Sequence, residues 1–428
     1  MSAVAGLAKA RGYEVSGSDA SEIYEPSKSV LEKYKIPHAI GAKPENIDYA
    51  KPDAIIITAA AEPSNPELAK ALEMKIPVMS FPALISELTK GKRNIVVAGT
   101  HGKSTTSGLL GWTLKNLNDS SFFVGAVLKN TSSNFYCGAG PEFVIEGDEY
   151  KSAYNDLRPK FLHYNPSILL INNIELDHPD LYPNFETFKK QFRILAESMP
   201  AGSAIVYNSD DPNAAEAVLN SAARKVPFGF SDFAKLDFTP RLPGKLYAYD
   251  YLGAACVLKE LGLAFAEFKN LFESYAGLKR RFEIIYDGGI TVIDDYAHHP
   301  TAVLRTLEAA REKYGARRIV CFFEPHTFSR TKEVLADLAK AFKPADVAYI
   351  AEIYSAREQG KDFGISGADV ARAVRANTPQ TVFVQNAQEA FEEYLKIKQR
   401  GDVVIVMAVG SFHELAYRIA EQKEYARG

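Results

Sequence analysis

A run of apolar, mostly β-branched residues, Ile95-Val96-Val97-Ala98, passes directly into Gly99-Thr100-His101-Gly102-Lys103-Ser104-Thr105-Thr106. A buried strand, a tight glycine turn and a helix with its apolar body at Gly108 to Leu117 are predicted in that order. This order suits a polyphosphate. Successive backbone N–H groups and the helix N-terminus surround the anion, the glycines allow close approach, Lys103 neutralises charge, and a hydroxyl reaches Mg²⁺. Val97 occupies the place of the first glycine of the usual Walker pattern, so the loop is one step shorter. ATP or GTP is the expected ligand, bound by Gly99, Thr100, His101, Gly102, Lys103, Ser104 and Thr105.

The rest of the chain alternates in the same way. Ala54–Thr58, Phe143–Ile145, Ile168–Ile171, Ile290–Ile293, Ile319–Phe323, Val347–Ile350 and Val403–Met407 read as buried parallel strands. Between them, Glu67–Met74, Thr301–Tyr314 and Glu333–Ala341 carry apolar residues at helical spacing. An α/β fold with mainly parallel sheets follows, and 428 residues exceed what one core usually serves. Charged Lys90-Gly91-Lys92-Arg93 and the Tyr275-Ala276-Gly277 break suggest three domains, 1–91, 92–276 and 277–428. With 50 basic and 53 acidic residues, the chain has no electrostatic reason to bind nucleic acid or an anionic membrane. Cys137, Cys256 and Cys321 show neither disulfide nor zinc spacing, which suits a reducing cytoplasm. No run approaches the roughly 20 apolar residues of a membrane span, and the N-terminus has no signal-peptide pattern.

Two further strand ends carry hard-cation ligands. Carboxylates cluster in Ile145-Glu146-Gly147-Asp148-Glu149-Tyr150, and Asn172-Asn173-Ile174-Glu175-Leu176-Asp177-His178 follows the next apolar run. Ligands of open α/β sheets gather beyond the strands' carboxyl ends, so both groups are expected to face the phosphate loop. One or two carboxylates suffice for Mg²⁺, which keeps several waters. In the last third, Asp294-Asp295-Tyr296-Ala297-His298-His299-Pro300 ends one strand and Glu324-Pro325-His326-Thr327-Phe328-Ser329-Arg330 ends another. One of the two aspartates is expected to cap the following helix. Lys279-Arg280-Arg281 is either a solvated charge run or the source of an arginine for a transferring γ-phosphate.

Gly-Thr-His-Gly-Lys-Ser-Thr-Thr, Asn-Ile-Glu-Leu-Asp-His, Lys-Arg-Arg-Phe-Glu and Asp-Asp-Tyr-Ala-His-His-Pro-Thr, with Asn65-Pro66-Glu67, together resemble the Mur ligase family over nearly the whole chain. The resemblance implies a UDP-sugar domain with a truncated Rossmann-like fold, its first strand and most of its glycine loop missing, a central ATPase, and a Rossmann-like C-terminal domain that closes over the nucleotide. It implies that the carboxylate of UDP-N-acetylmuramate takes a phosphoryl group from ATP and that an amine then displaces phosphate. Lys103, His178, Arg281, His298 and Arg330 would be catalytic. Ser104, Glu146, Glu149 and His178 would hold Mg²⁺, Asp295 would touch the nucleotide, and Tyr296, His298 and Arg330 would line the amine pocket.

Members of the family differ in the amine. Ser80-Phe81-Pro82, Ile145–Tyr150, Lys160–Tyr164 and Gly410-Ser411-Phe412 are similar to members that add the tripeptide L-alanyl-γ-D-glutamyl-meso-diaminopimelate. Pro325–Thr331 and Ile353–Glu358 are similar to members that add L-alanine, which carry a further arginine where Thr327 stands. The tripeptide is the expectation, with L-alanine the alternative. The resemblance also implies that Met1-Ser2-Ala3 falls at the end of the family's first glycine loop. Gly244-Lys245-Leu246-Tyr247 stands where the family has Gly-x-His-Asn, and Asp250 replaces a further asparagine that meets adenine. Two competing classes are a nucleotide-binding relative without ligase activity and a folylpolyglutamate-type ligase. The Asp-Asp-Tyr-Ala-His-His-Pro block argues against the latter.

Overall fold

A computed structural model describes residues 1–355, 358 and 363–422. The chain forms two compact units, Met1–Thr239 with Tyr249–Ala276, and Pro240–Ala248 with the residues from Gly277 onward. Among the described residues, no helix is long and apolar enough to cross a membrane.

The first unit is built on a seven-stranded sheet. In spatial order its strands are Arg224–Phe228, Ala204–Asn208, Ile168–Ile171, Arg93–Ala98, Glu142–Glu146, Ser121–Leu128 and Ser133–Tyr136. All neighbours are parallel except the last pair, which forms a hairpin. The central strands are continuous apolar runs because helices cover both faces: Ile95, Val96, Val97, Leu169, Leu170 and Ile171 are fully buried. Each such side chain removed from water stabilises the unit by about 1.5–3 kcal/mol before the cost of ordering it. Phe161, Phe188, Phe192, Leu195 and Ala196 pack in the core that includes Val96, Ala98 and Ile171. Ala3, Val4, Leu7 and Ala8, the buried face of the first helix, Ser2–Ala10, join the same core.

Register matters most for function. Ile171 pairs with Ala98 and Glu146 pairs with Val97, so three adjacent strands end at one level. The segments that leave them, 99–104, 172–178 and 147–150, therefore emerge side by side. Asp211 ties this region to the next helix. Its Oδ1 accepts from Asn213 N and Ala214 N to cap Pro212–Ala217, and its Oδ2 accepts from Ile174 N at 2.9 Å.

The expected strands all form, with ends moved by one or two residues: Ile55–Ile57, Arg93–Ala98, Glu142–Glu146 and Thr291–Asp295 replace the sequence estimates. Residues 1–91 hold two separate two-stranded parallel pairs, Gly17–Asp19 with His38–Ile40 and Ile55–Ile57 with Val78–Ser80. Gly17–Asp19 is exposed throughout, so no apolar pattern marks it. Arg224–Phe228 was equally silent. It is an edge strand with two cations and Pro227, composition that an unpaired edge tolerates.

The second unit has a six-stranded sheet in the order Glu283–Asp287, Thr291–Asp295, Val403–Met407, Ile319–Phe323, Val347–Ile350, Thr381–Phe383. Only the first pair is antiparallel, a hairpin turning through Gly288-Gly289. Asp295 and Phe323 both pair with Met407, so here too three strand ends are level.

Candidate functional site

The phosphate loop has the backbone that its sequence requires. Gly99 has φ +130° and Gly102 φ +82°, the latter at the cap of helix Lys103–Asn118. A Cβ on Gly102 would lie 2.1 Å from Asp250 Oδ1, and one on Gly99 would lie 3.0 Å from the Asn173 carbonyl. No other residue type fits either place without displacement. The neighbouring strand end supports the loop. His101 N donates to Asn173 Oδ1 at 2.8 Å, Thr100 N donates to Asn173 O at 3.0 Å, and Thr100 Oγ1 donates to Glu175 O at 2.8 Å. His101 Nε2 lies 3.1 Å from Glu175 Oε2. Thr105 is buried, and its carbonyl faces the Tyr275 hydroxyl at 3.4 Å.

Lys103 Nζ donates to Gly99 O at 2.7 Å and to Glu149 at 2.9 Å. Burial alone would push its ammonium toward neutrality, but Glu149, Asp148 and Glu146 outweigh burial and raise its pKa. Glu149 also faces His178 Nε2 at 3.4 Å. For His178 burial again opposes charge, and Asp177, Glu149 and Asp148 overcome it, so its pKa is raised. Tyr150 packs edge-on against the His178 ring at 5.0 Å and its hydroxyl donates to Asp180 at 3.0 Å.

The residues proposed for metal divide into two neighbouring sets. Ser104 Oγ donates to Glu146 Oε1 at 2.9 Å, and Gly125 N donates to Glu146 Oε2 at 2.6 Å. Asp148, Glu149 and His178 form the other set, with ligand atoms all within 4.8 Å of one another. Two carboxylates and one imidazole at that spacing suit a divalent cation that retains waters. Asp148, paired with Lys160, had not been singled out among its acidic neighbours.

Asp250, noted as a departure from the asparagine of the family, is buried beneath the loop. Its Oδ1 accepts from Thr106 Oγ1 at 2.9 Å and from Asn172 Nδ2 at 3.3 Å. A carboxylate there faces the helix N-terminus, where negative charge is favoured.

In the second unit neither aspartate caps the helix, contrary to expectation. His299 does, accepting from Thr301 N. Asp295 instead closes the turn at the strand end, its Oδ2 accepting from Phe282 N at 2.6 Å and its Oδ1 from Ala297 N at 2.7 Å. Burial raises the pKa of Asp295, with Arg281 as the main opposing charge. Asp294 is fully buried and pushed up to about 7, first by burial, then by Asp295 and Glu283, with Arg280 opposing. Of the three cations at 279–281, Arg280 is structural, donating through Nη2 to the Ala408 carbonyl at 2.6 Å. Arg281 lies over the Tyr296 ring at 4.9 Å.

Tyr296, His298 and Arg330 come together through His326, which sequence reasoning had not assigned. Its ring lies 5.6 Å from His298, which lies 5.5 Å from Tyr296, and Tyr354 stacks on the His326 ring at 5.8 Å. Arg330, itself buried, donates from Nη1 to His326 Nδ1 at 2.8 Å. The result is a cation and two imidazoles among aromatic rings, able to hold a carboxylate and to accept a proton. Tyr247, from the altered adenine motif, is buried against Phe282, with ring centroids 6.4 Å apart. That contact is apolar packing.

Comparison with known proteins identifies the family. Residues 1–93 match the Mur ligase family catalytic domain, 97–247 the Mur ligase middle domain, and 280–410 the Mur ligase glutamate ligase domain. A UDP-N-acetylmuramate–L-alanine ligase from Sulfurihydrogenibium is 34% identical over 98% of this chain and 95% of its own length. One from Persephonella marina is 32% identical over 98% and 94%. Among solved structures, UDP-N-acetylmuramate-alanine ligase from Thermotoga maritima superposes with a TM-score of 0.78 at 22% identity, covering 100% of this chain and 97% of that one. A murein peptide ligase from Psychrobacter arcticus gives 0.71 at 24%, with the same coverage. At these identities the structural matches speak for the fold, whereas the sequence matches span almost the entire chain. The chain belongs to the Mur ligase family and is an ATP-dependent, ADP-forming ligase of amide bonds in peptidoglycan synthesis.

Proposed function

We propose that this ligase joins the carboxylate of UDP-N-acetylmuramate to the amine of L-alanine, using ATP and Mg²⁺. The muramate carboxylate attacks the γ-phosphorus of ATP, ADP leaves, and the amine then attacks the acyl carbon and expels phosphate. One observation carries the ligase chemistry: Lys103, Ser104, Glu146, Glu149 and His178 converge from three level strand ends. In this reading Gly99 to Thr105 hold the phosphates and Lys103 neutralises the charge that develops on them. Mg²⁺, held by Ser104, Glu146, Glu149 and His178, would neutralise the remaining phosphate charge. Arg281 and Asp295 address the nucleotide, and Arg330 holds the amine substrate's carboxylate. His298, beside Tyr296, takes the amine proton. The segments 1–91, 92–276 and 277–428 would serve the UDP-sugar, ATP and the amine respectively.

L-alanine takes first place over the tripeptide because the near-full-length relatives carry that activity in their names. The tripeptide remains the second reading, supported by the Ile145–Tyr150 and Lys160–Tyr164 blocks. Phosphate release from ATP with Mg²⁺ and UDP-N-acetylmuramate decides between them. L-alanine should stimulate release at least about tenfold over the amine-free rate, and Lys103→Ala should lower the stimulated rate about 10²–10³-fold. Stimulation by the tripeptide alone would reverse the order of the two readings.

A further inference from the structure

The helix Phe328–Ala341 carries Arg330 in its first turn, yet it begins without a local cap. Thr327, at the cap position, makes no side-chain hydrogen bond to the helix. It also has φ +61° and ψ 144°, a conformation that a β-branched residue rarely adopts. Such a backbone persists only where its surroundings fix it. Here they do so from a segment about thirty residues later. Tyr354 N donates to Pro325 O and Thr327 N donates to Tyr354 O, each at 2.9 Å. Glu358 then supplies the missing cap. Its Oε2 accepts from Phe328 N at 2.5 Å and from Ser329 N at 3.1 Å, and its Oε1 accepts from the Ser329 hydroxyl. On the far side Phe363 stacks on Phe328 at 6.1 Å, and its carbonyl accepts from Lys332 Nζ at 3.1 Å.

We propose that Glu358 is a positioning residue for the incoming-amine site. Its carboxylate fixes the first turn of the helix and so sets the direction in which Arg330 leaves it. The chemistry fits: a carboxylate on two free N–H groups at a helix N-terminus makes charge-assisted bonds at the pole that favours negative charge. Arg330 reaches His326 from that turn, and His326 is bridged and stacked to Tyr354, a few residues before Glu358 in the chain. The stretch that reads the amine and the stretch that braces the reader are thus separate in sequence and joined by Glu358. This inference rests on the reading of Arg330 as the group that binds the carboxylate of L-alanine.

The test is steady-state kinetics of the full chain with L-alanine, ATP and UDP-N-acetylmuramate varied in turn. Glu358→Ala should raise KM for L-alanine about tenfold while KM for ATP and for UDP-N-acetylmuramate stay within about twofold. Glu358→Gln keeps an acceptor oxygen without the charge and should recover most of the loss. Should Glu358→Ala not accumulate as folded protein, Ser329→Ala removes one of the three donors and should raise KM for L-alanine about threefold. An unchanged KM for L-alanine in these variants, with Arg330→Ala raising it, would overturn the proposal. An equal rise in all three KM values would also overturn it, since that marks a general structural role. If Arg330→Ala itself leaves KM for L-alanine unchanged, the reading of the amine site fails instead.

Discussion

Glu149 meets both Lys103 and His178, and that double contact sets what a substitution there will do. It is buried, so its charge is little screened by water and acts strongly on both partners. Glu149→Gln preserves volume and removes the charge. The Mg²⁺ concentration for half-maximal activity is expected to rise by about tenfold or more. A Mg²⁺ titration of phosphate release checks this, and an unchanged midpoint would transfer the role to Glu146 beside Ser104. At this scale the sequence was informative where chemistry dictates residue type. A lysine and a hydroxyl after a glycine turn have few other uses, so Lys103 and Ser104 stand out. Asn173 and His326 did not stand out, because an asparagine or histidine in a loop looks the same whether or not it supports a neighbour. Their roles depend on strand register and on segments far away in sequence.

Elements show a similar division. Runs such as Ile319–Phe323 and Val403–Met407 are strands with the expected limits, since full burial demands unbroken apolar sequence. The helix after Phe323 starts at Phe328, five residues before the expected Glu333. Its first turn, Phe328-Ser329-Arg330-Thr331, carries little helical signal and is capped by remote Glu358, which no local rule reveals. The turn before helix Lys103–Asn118 is the opposite case, dictated locally by Gly102. Gly102→Ala would impose a left-handed conformation on a residue with a Cβ, at about 1–2 kcal/mol, and bring that Cβ against Asp250. A fall in thermal midpoint of roughly 2–8 °C is expected, together with a raised KM for ATP. A midpoint within about 1 °C of the parent would mean that the loop relaxes freely.

Across the whole molecule, the buried acids of the second unit set a pH dependence. Asp294 has an ordinary value of 3.8 and is pushed up to about 7 in the fold, and Glu324 is pushed up to about 7 from 4.5, chiefly by burial. Between those limits the folded protein keeps protons that the unfolded chain has lost. The stability that these two groups contribute therefore falls as pH rises from about 4 to about 7 and is lost above. Asp294→Asn carries no charge to desolvate, so its thermal midpoint should decline less over that window and exceed the parent's at pH 8. Parallel profiles for the two proteins would show that Asp294 is not the group responsible. The level strand ends of the first unit carry a different implication, for change over time. A strand advances about 3.3 Å per residue, so a two-residue slip of Glu142–Glu146 against Arg93–Ala98 would carry its carboxylates more than 6 Å from Ser104 and Lys103. Loops away from segments 99–104, 147–150 and 172–178 can lengthen, shorten or be exchanged with the chemistry intact. Insertions and deletions inside the three central strands cannot accumulate, and their lengths should be the slowest property of this chain to drift.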